Sequence, residues 1–305
     1  MCPLSGVLEQ ELDDLFAVVR WFEQDAQAKS QFLQNGAADV RAVVTGGHIG
    51  CTTELMAALP NLGIISINGV GYDKVDLPQA RARGIRVTTT PDVLTADVAD
   101  LAVGLTIDLL RGITRSDRFV REGGWLEGDR PLAHRVTNRR FGIVGLGRIG
   151  RATADRLAVF GPVRYHGPSR KDAPYPFEPS LTKLAEWAEV LVITCHANAT
   201  TARLINAHVL NALGPKGYLV NVARGSVLDE PELVQVLENG LIAGAALDVF
   251  ADEPRVPATL IESERVVLTP HVASATIECR QSMAELVLAN LRAFLAGQPL
   301  PTAVI

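Results

Sequence analysis

Phe141-Gly142-Ile143-Val144-Gly145-Leu146-Gly147-Arg148-Ile149-Gly150 runs from an apolar strand pattern into Gly-x-Gly-x-x-Gly and then into a helical pattern. In such a turn the first glycine permits the tight bend, the second lets backbone approach a phosphate, and the third lets helix and strand pack closely. The helix that follows presents free amides and a partial positive charge, which favour an anion. A glycine triplet alone is equally compatible with a bare tight turn. The strand before it and the helix after it turn the reading toward a dinucleotide, its pyrophosphate held by Gly145, Gly147, Arg148, Ile149 and Gly150.

Outward from this loop, short β-branched runs alternate with helical patterns, the signature of βαβ units and a mostly parallel sheet. On the N-terminal side the pattern predicts a helix over 9–15, a strand at Ala42-Val43-Val44, a helix over 53–58 and a strand over 63–67. A glycine-rich turn, another helix and the strand Ile85-Arg86-Val87-Thr88 follow. Residues 95–111 form a long helical pattern, apolar around nearly the whole circumference, with only Asp97, Asp100, Thr106 and Asp108 interrupting it. A helix apolar on all sides is buried on all sides. Packing between domains or subunits and a plain central core helix explain it equally well. An Arg-rich connector, 111–140, leads to the strand before the glycine loop. Further strand runs follow at 163–165, 190–194, 218–222, 243–249 and 266–268, about six parallel strands in all. An amphipathic helix over 277–295 ends at Gly297 before Pro299.

The 305 residues allow about two domains. A net charge of −5 gives no footprint of a nucleic-acid or anionic-membrane binder. The share of apolar residues, 48%, against 21% charged, is that of a globular chain. Cys2, Cys51, Cys195 and Cys279 show no metal-like spacing and no disulfide framework, and read as reduced cytosolic thiols; no metal is expected. No apolar stretch approaches a membrane span, and the start has no signal-peptide pattern, so a soluble cytoplasmic protein is expected.

A site for NAD calls for Asp or Glu about 20 residues beyond the glycine loop, to bond the ribose 2′-hydroxyl. Here the region reads Tyr165-His166-Gly167-Pro168-Ser169-Arg170-Lys171, with no acid before Asp172. Ser169 can donate to a 2′-phosphate, and Arg170 and Lys171 can neutralise it. NADPH is therefore expected over NADH, with NADH possible; Asp172 reaching the ribose would reverse that order, and a solvated basic loop is the plain alternative.

Ligands of open α/β sheets lie beyond the carboxyl ends of the strands. Those ends supply Arg224, then the stretch from Asp248 to Pro254 containing Glu253, then Thr269-Pro270-His271. Hydride addition to a carbonyl leaves charge on oxygen, and His is suited to donate a proton there. A carboxylate bonded to that His stabilises its charged form and fixes its ring. A guanidinium binds a substrate carboxylate bidentately and polarises the adjacent carbonyl. Singly, Arg224 reads as a surface ion pair, Glu253 as a helix-end carboxylate and His271 as a core histidine; together beside a dinucleotide loop they read as a reaction centre. His48, His134, His166 and His208, placed in loops or helices, are taken as structural. His196 is a further candidate for the wall of the cofactor cleft.

These motifs, with Asn68-Gly69-Val70-Gly71-Tyr72-Asp73-Lys74-Val75-Asp76, Thr95-Ala96-Asp97-Val98-Ala99, Asn221-Val222-Ala223-Arg224-Gly225 and Ala246-Leu247-Asp248-Val249-Phe250, resemble the D-isomer-specific 2-hydroxyacid dehydrogenase family over nearly the whole chain. Within it they are most similar to the glyoxylate/hydroxypyruvate reductases. The resemblance implies an α/β fold of two Rossmann-like domains with parallel sheets, the cofactor domain (95–271) inserted into the substrate domain (1–94 plus 272–305). It implies that Arg224 binds substrate, that Glu253 and His271 form a proton relay, and that the backbone of Val70 and Gly71 clamps the substrate carboxylate. Thr95 and Asp248 would flank the nicotinamide and Ala223 line its pocket; Cys195, His196, Thr201 and Val222 complete the expected cofactor contacts. A homodimer is implied, with the long helix serving inter-domain and dimer contacts.

Three departures stand out. The opening strand is nearly missing, since residues 1–4 begin where it should end. Thr194-Cys195-His196-Ala197 lacks the usual proline, and no regulatory domain follows residue 305, unlike the long phosphoglycerate dehydrogenases. The expected reaction is reduction of glyoxylate or hydroxypyruvate. The alternatives are another D-2-hydroxyacid dehydrogenase (for D-lactate or an aromatic 2-oxo acid) and a dinucleotide-sensing, corepressor-like binding protein. Formate-type relatives carry Gln where Glu253 stands. Trp125 is a candidate cap for the pocket, with a core or surface role equally open.

Overall fold

The alternation of strands and helices builds two parallel sheets. In chain order the strands are β1 Ala42–Gly46, β2 Ile64–Asn68, β3 Arg86–Thr88, β4 Phe141–Val144, β5 Val163–His166, β6 Val190–Ile193, β7 Tyr218–Asn221, β8 Gly244–Leu247 and β9 Val266–Leu268. The computed structural model describes residues 1–305, which divide into one unit of Met1–Leu94 with Ala275–Ile305 and another of Thr95–Ser274.

The first unit holds the sheet β1-β2-β3, all parallel. Side chains alternate across it with period two. Ile64 packs with Leu8, Leu12, Val287 and Leu291 on one face, while Ile65 and Ile67 join Val43, Met56, Leu59 and Val87 on the other. Residues 1–5 form no strand. Instead the Met1 ammonium donates to the Val44 carbonyl at 3.1 Å, and the Gly46 amide donates to Cys2 Sγ at 3.1 Å. These contacts cover part of the outer edge of β1. At the other end, the Val304 amide donates to the Val87 carbonyl at 2.7 Å, tying the chain end to β3. The helix Ile277–Leu295 reaches the same segment through fully buried Asn290. Its amide nitrogen donates to Thr302 Oγ1 at 2.7 Å, and its oxygen accepts from the Thr302 amide at 3.2 Å.

The second unit holds the six-stranded sheet β5-β4-β6-β7-β8-β9, every pair parallel. Every residue of β4, β6, β7 and β8 is buried, as parallel strands covered by helices on both faces must be. Full burial of a side chain such as Ile143 or Leu191 contributes about 1.5–3 kcal/mol. The helix Thr95–Arg111 is covered by this chain on one side. It buries Val98, Ala99, Ala102, Leu105, Thr106, Leu109 and Leu110, against the helix Arg148–Leu157 and strands β7, β8 and β9. Ala96, Asp100 and Gly104 on its opposite side are exposed. Within this chain one side of the helix meets the core, and Leu101, Val103 and Ile107 elsewhere on it are half-buried. His166 differs from its expected loop or helix position, being the last residue of β5. No helix is long and apolar enough to cross a membrane.

Changing Asn290 to Ala leaves the Thr302 amide without its acceptor, while the Thr302 hydroxyl keeps the Thr89 carbonyl at 2.6 Å. The expected loss is about 1–3 kcal/mol, read as a lower urea midpoint with an unchanged far-ultraviolet spectrum. An unchanged midpoint would show that the network holds nothing.

Candidate active site

Because all six strands of the second unit run the same way, their carboxyl ends share one edge. The chain passes from β4 to β5 on one side and then returns past β4 to β6 on the other. That reversal opens a crevice at the end of β4, the place where a ligand binds in such sheets. The glycine loop leaves β4 there. Gly145 has φ +96°, and a β-carbon on it would stand 2.5 Å from the Cys195 Cα. A β-carbon on Gly150 would stand 2.0 Å from the Gly145 carbonyl oxygen. Gly147, the N-cap of the helix Arg148–Leu157, is different: no atom lies within 4 Å of a β-carbon built there. Two glycines are thus required by the protein's own packing, while the third borders open space at a helix N-terminus. That is the cradle a pyrophosphate fits. The loop is braced by the Gly145 amide donating to the His166 carbonyl at 2.8 Å and by Thr194 Oγ1 donating to the Gly145 carbonyl at 2.8 Å.

Around this cradle, Ser169, Arg170 and Lys171 form an exposed turn after β5. Arg148 is exposed and Ile149 half-buried in the first helical turn. Past β6, Cys195 lies against Gly145, and burial pushes its thiol up to about 11. His196 is exposed, and its carbonyl accepts from Thr201 Oγ1 at 2.8 Å. Thr201 also accepts from the Asn198 amide at 2.8 Å, so it closes this loop on itself. Thr95 opens the first helix of the unit. Val70 and Gly71 follow β2 in the other unit.

The ends of β7, β8 and β9 carry the polar groups. Val222 and Ala223 are buried. Arg224 follows them, its Nη1 donating to the Ala223 carbonyl at 2.7 Å. The bend that presents it is held by fully buried Asn221, whose oxygen accepts from the Ala223 amide at 3.0 Å and whose nitrogen donates to the Arg224 carbonyl at 3.1 Å. Glu253 uses both oxygens: one accepts from the Phe250 amide at 3.1 Å, and the other lies 2.7 Å from His271 Nδ1. Both side chains are part-exposed, at 23% and 30%. The carboxylate engages the ring through Nδ1 and so sets its orientation.

His271 has φ +54°, a left-handed conformation that costs a residue other than glycine about 1–2 kcal/mol. Asp248 accounts for it. Its carbonyl accepts from the His271 amide at 2.8 Å, and its carboxyl group accepts from Thr269 Oγ1 at 2.6 Å and from the amides of Val272 at 2.9 Å and Ala273 at 3.0 Å. Burial raises the pKa of this carboxyl, and the three donors oppose the shift. Asp248 thus braces the turn 269–273 on which His271 sits. Glu230 does similar work nearby, accepting from the Ala251 amide at 3.1 Å. Asn221, Thr269 and Glu230 had no assigned role in the sequence. The available signal was a polar residue closing an otherwise apolar strand, as in Tyr218-Leu219-Val220-Asn221.

A dinucleotide crevice with Arg, Glu and His at neighbouring strand ends defines a nicotinamide-dependent dehydrogenase, and the likeness to known proteins agrees. Residues 103–273 match the D-isomer specific 2-hydroxyacid dehydrogenase NAD binding domain, and the chain belongs to that family. It is 48% identical to a hydroxyphenylpyruvate reductase of Plectranthus scutellarioides, over 100% of this chain and 97% of that protein. It is 44% identical to glyoxylate/hydroxypyruvate reductase A of Arabidopsis thaliana, over the same shares of each chain. Among solved structures, the NADPH-dependent glyoxylate/hydroxypyruvate reductase of Sinorhizobium meliloti, in complex with NADP and malonate, superposes with a TM-score of 0.90. That pair shares 40% identity over 99% of this chain and 94% of the other.

The raised pKa of Cys195 makes a direct prediction. Burial disfavours the thiolate, so with a pKa of about 11 only about one molecule in a thousand carries it at pH 8. Iodoacetamide should label Cys195 in the native protein very slowly at pH 8 and markedly faster toward pH 10, followed by peptide mass. Rapid labelling at pH 8 would contradict the buried environment.

Proposed function

We propose that this enzyme reduces small 2-oxo acids, glyoxylate to glycolate and hydroxypyruvate to D-glycerate, with NADPH preferred and NADH usable. The observation that carries the reading is the 2.7 Å His271–Glu253 pair on the strand edge that also bears the glycine cradle. A nicotinamide dinucleotide supplies the hydride. Gly145, Gly147, Arg148, Ile149 and Gly150 would hold its pyrophosphate, and Ser169, Arg170 and Lys171 its 2′-phosphate. Thr95, Cys195, His196, Thr201, Val222, Ala223 and Asp248 are proposed for the rest of its cleft, Asp248 by bracing the turn beneath His271.

Arg224 takes the substrate carboxylate as a paired hydrogen bond and draws electron density from the neighbouring carbonyl. Val70 and Gly71 are proposed to add backbone donors to the same carboxylate. As the carbonyl carbon gains its hydride, His271 Nε2 gives a proton to the carbonyl oxygen, so the product is a neutral alcohol and not an alkoxide. Glu253 holds the Nδ1 proton and keeps the ring in one orientation throughout, and water then restores the proton on Nε2.

We further propose a cytoplasmic homodimer. All four cysteines are free thiols. Trp125, Leu126 and Leu132 are 66%, 94% and 98% exposed, and large apolar side chains so exposed are what a partner surface covers. The 48% identity to a hydroxyphenylpyruvate reductase favours one second reading, an aromatic 2-oxo acid as the preferred substrate. The acid end of either substrate meets the same Arg and His.

Loss of near-ultraviolet absorbance decides between them, with NADPH and NADH offered in parallel against glyoxylate, hydroxypyruvate, pyruvate and hydroxyphenylpyruvate. Faster turnover of the two small acids with NADPH is expected; preference for the aromatic acid installs the second reading, and no turnover despite tight cofactor binding defeats both. Changing His271 to Ala should lower kcat by about 10²–10⁴-fold, the usual worth of a positioned proton donor, with cofactor affinity near normal. Unchanged turnover would remove His271 from the proton role.

A further inference from the structure

The Ser169-Arg170-Lys171 turn is exposed, yet its shape is held by buried and helical neighbours. It lies in the ten-residue loop 167–176 that follows β5. Tyr165, inside β5 and 1% exposed, meets that loop at its middle and at its far end. Its hydroxyl accepts from the Lys171 amide at 2.7 Å and donates to the Lys171 carbonyl at 3.2 Å. Its own amide donates to the Pro176 carbonyl at 3.1 Å, and its carbonyl accepts from the Glu178 amide at 2.8 Å. The ring is fixed in turn by Phe177, 5.3 Å away between centroids. A second set of anchors comes from the helix Arg148–Leu157. Arg151 Nη1 donates to the Asp172 carbonyl at 2.8 Å, and the Tyr175 hydroxyl donates to Asp155 at 2.6 Å. Arg151 and Asp155, four apart, share one face of that helix.

We propose that Tyr165, seconded by Arg151, is a positioning residue for cofactor choice: it holds Ser169, Arg170 and Lys171 in the shape that receives a ribose 2′-phosphate. The inference rests on the NADPH reading above. Two exposed cations are worth little to an anion unless their geometry is set beforehand, because solvent screens them and their side chains must be ordered on binding. A loop pinned at Lys171 and Asp172 has already met much of that ordering cost. The Arg151 and Asp155 anchors also tie the turn to the helix whose N-terminus borders the pyrophosphate cradle. The spacing between the two phosphate subsites is thereby built into one rigid piece. An NADH molecule has no 2′-phosphate and would not feel the anchor.

The test uses the full chain with Tyr165→Phe, which keeps the buried ring and deletes only the hydroxyl, and Arg151→Ala as a second, surface variant. NADPH and NADH are titrated by fluorescence, and exchange of the Lys171 amide is followed by NMR or mass spectrometry. In Tyr165→Phe the amide should exchange faster. Its NADPH dissociation constant should rise about five- to tenfold while that for NADH stays within about twofold, the scale of one or two net hydrogen bonds. Arg151→Ala should shift the two cofactors in the same sense. Arg170→Ala with Lys171→Ala should weaken NADPH far more than NADH, and adding Tyr165→Phe to that pair should change NADPH affinity no further. Unchanged NADPH affinity in Tyr165→Phe, or an equal loss for both cofactors, overturns the proposal. If the Arg170/Lys171 pair itself weakens both cofactors equally, the NADPH reading has failed and the proposal falls with it. The Lys171 amide then still reports whether the anchor exists.

Discussion

The carbonyl oxygen of Gly145 lies where a side chain on residue 150 would begin, 2.0 Å from the position of a β-carbon. That contact sets how closely the helix Arg148–Leu157 seats against the end of β4, and much of the site inherits its position from it. The helix N-terminus faces the crevice because the seat is tight. Thr194 closes on the Gly145 carbonyl from β6 at 2.8 Å. A methyl group at residue 150 would push helix and strand apart and shift the glycine loop with them.

Across the crevice the corresponding constraint is a buried carboxylate. Asp248 is fully buried, an expensive place for a charge, and its three donors from residues 269–273 offset the cost of leaving water. Those donors and the Asp248 carbonyl hold His271 in a conformation the chain would not choose unaided. Glu253 then sets the ring, its second oxygen fixed by the Phe250 amide. Strand ends bring Arg224, Glu253 and His271 to one edge, and buried Asn221 and Asp248 hold the backbone that carries Arg224 and His271.

How much of this was legible differs by kind of residue. The glycine loop was legible because its spacing is local: three glycines within six residues have a backbone reason each. Arg224 and His271 were legible as strand-end residues, since a parallel sheet gathers those ends in one place. Asn221 and Tyr165 were not, because each acts through hydrogen bonds whose partners depend on how a bend or loop folds back. Tyr165 looks in sequence like an ordinary apolar strand position; only its hydroxyl, turned to Lys171, distinguishes it. The helix Thr95–Arg111 is a different case. Its apolar residues run around the whole helix, and this chain's own core covers one side of it, leaving Leu101, Val103 and Ile107 half-buried.

The amino-acid sequence by itself determined the α/β class, the parallel sheets, the dinucleotide loop and the family, because these rest on periodicity and on short motifs read locally. Tertiary structure decided the 2.7 Å geometry by which His271 meets Glu253, the bracing of that histidine by Asp248, and the anchoring of the basic turn by Tyr165 and Arg151. Each of those joins residues separated along the chain, and a hydrogen bond exists only where folding has brought donor and acceptor within about 3 Å.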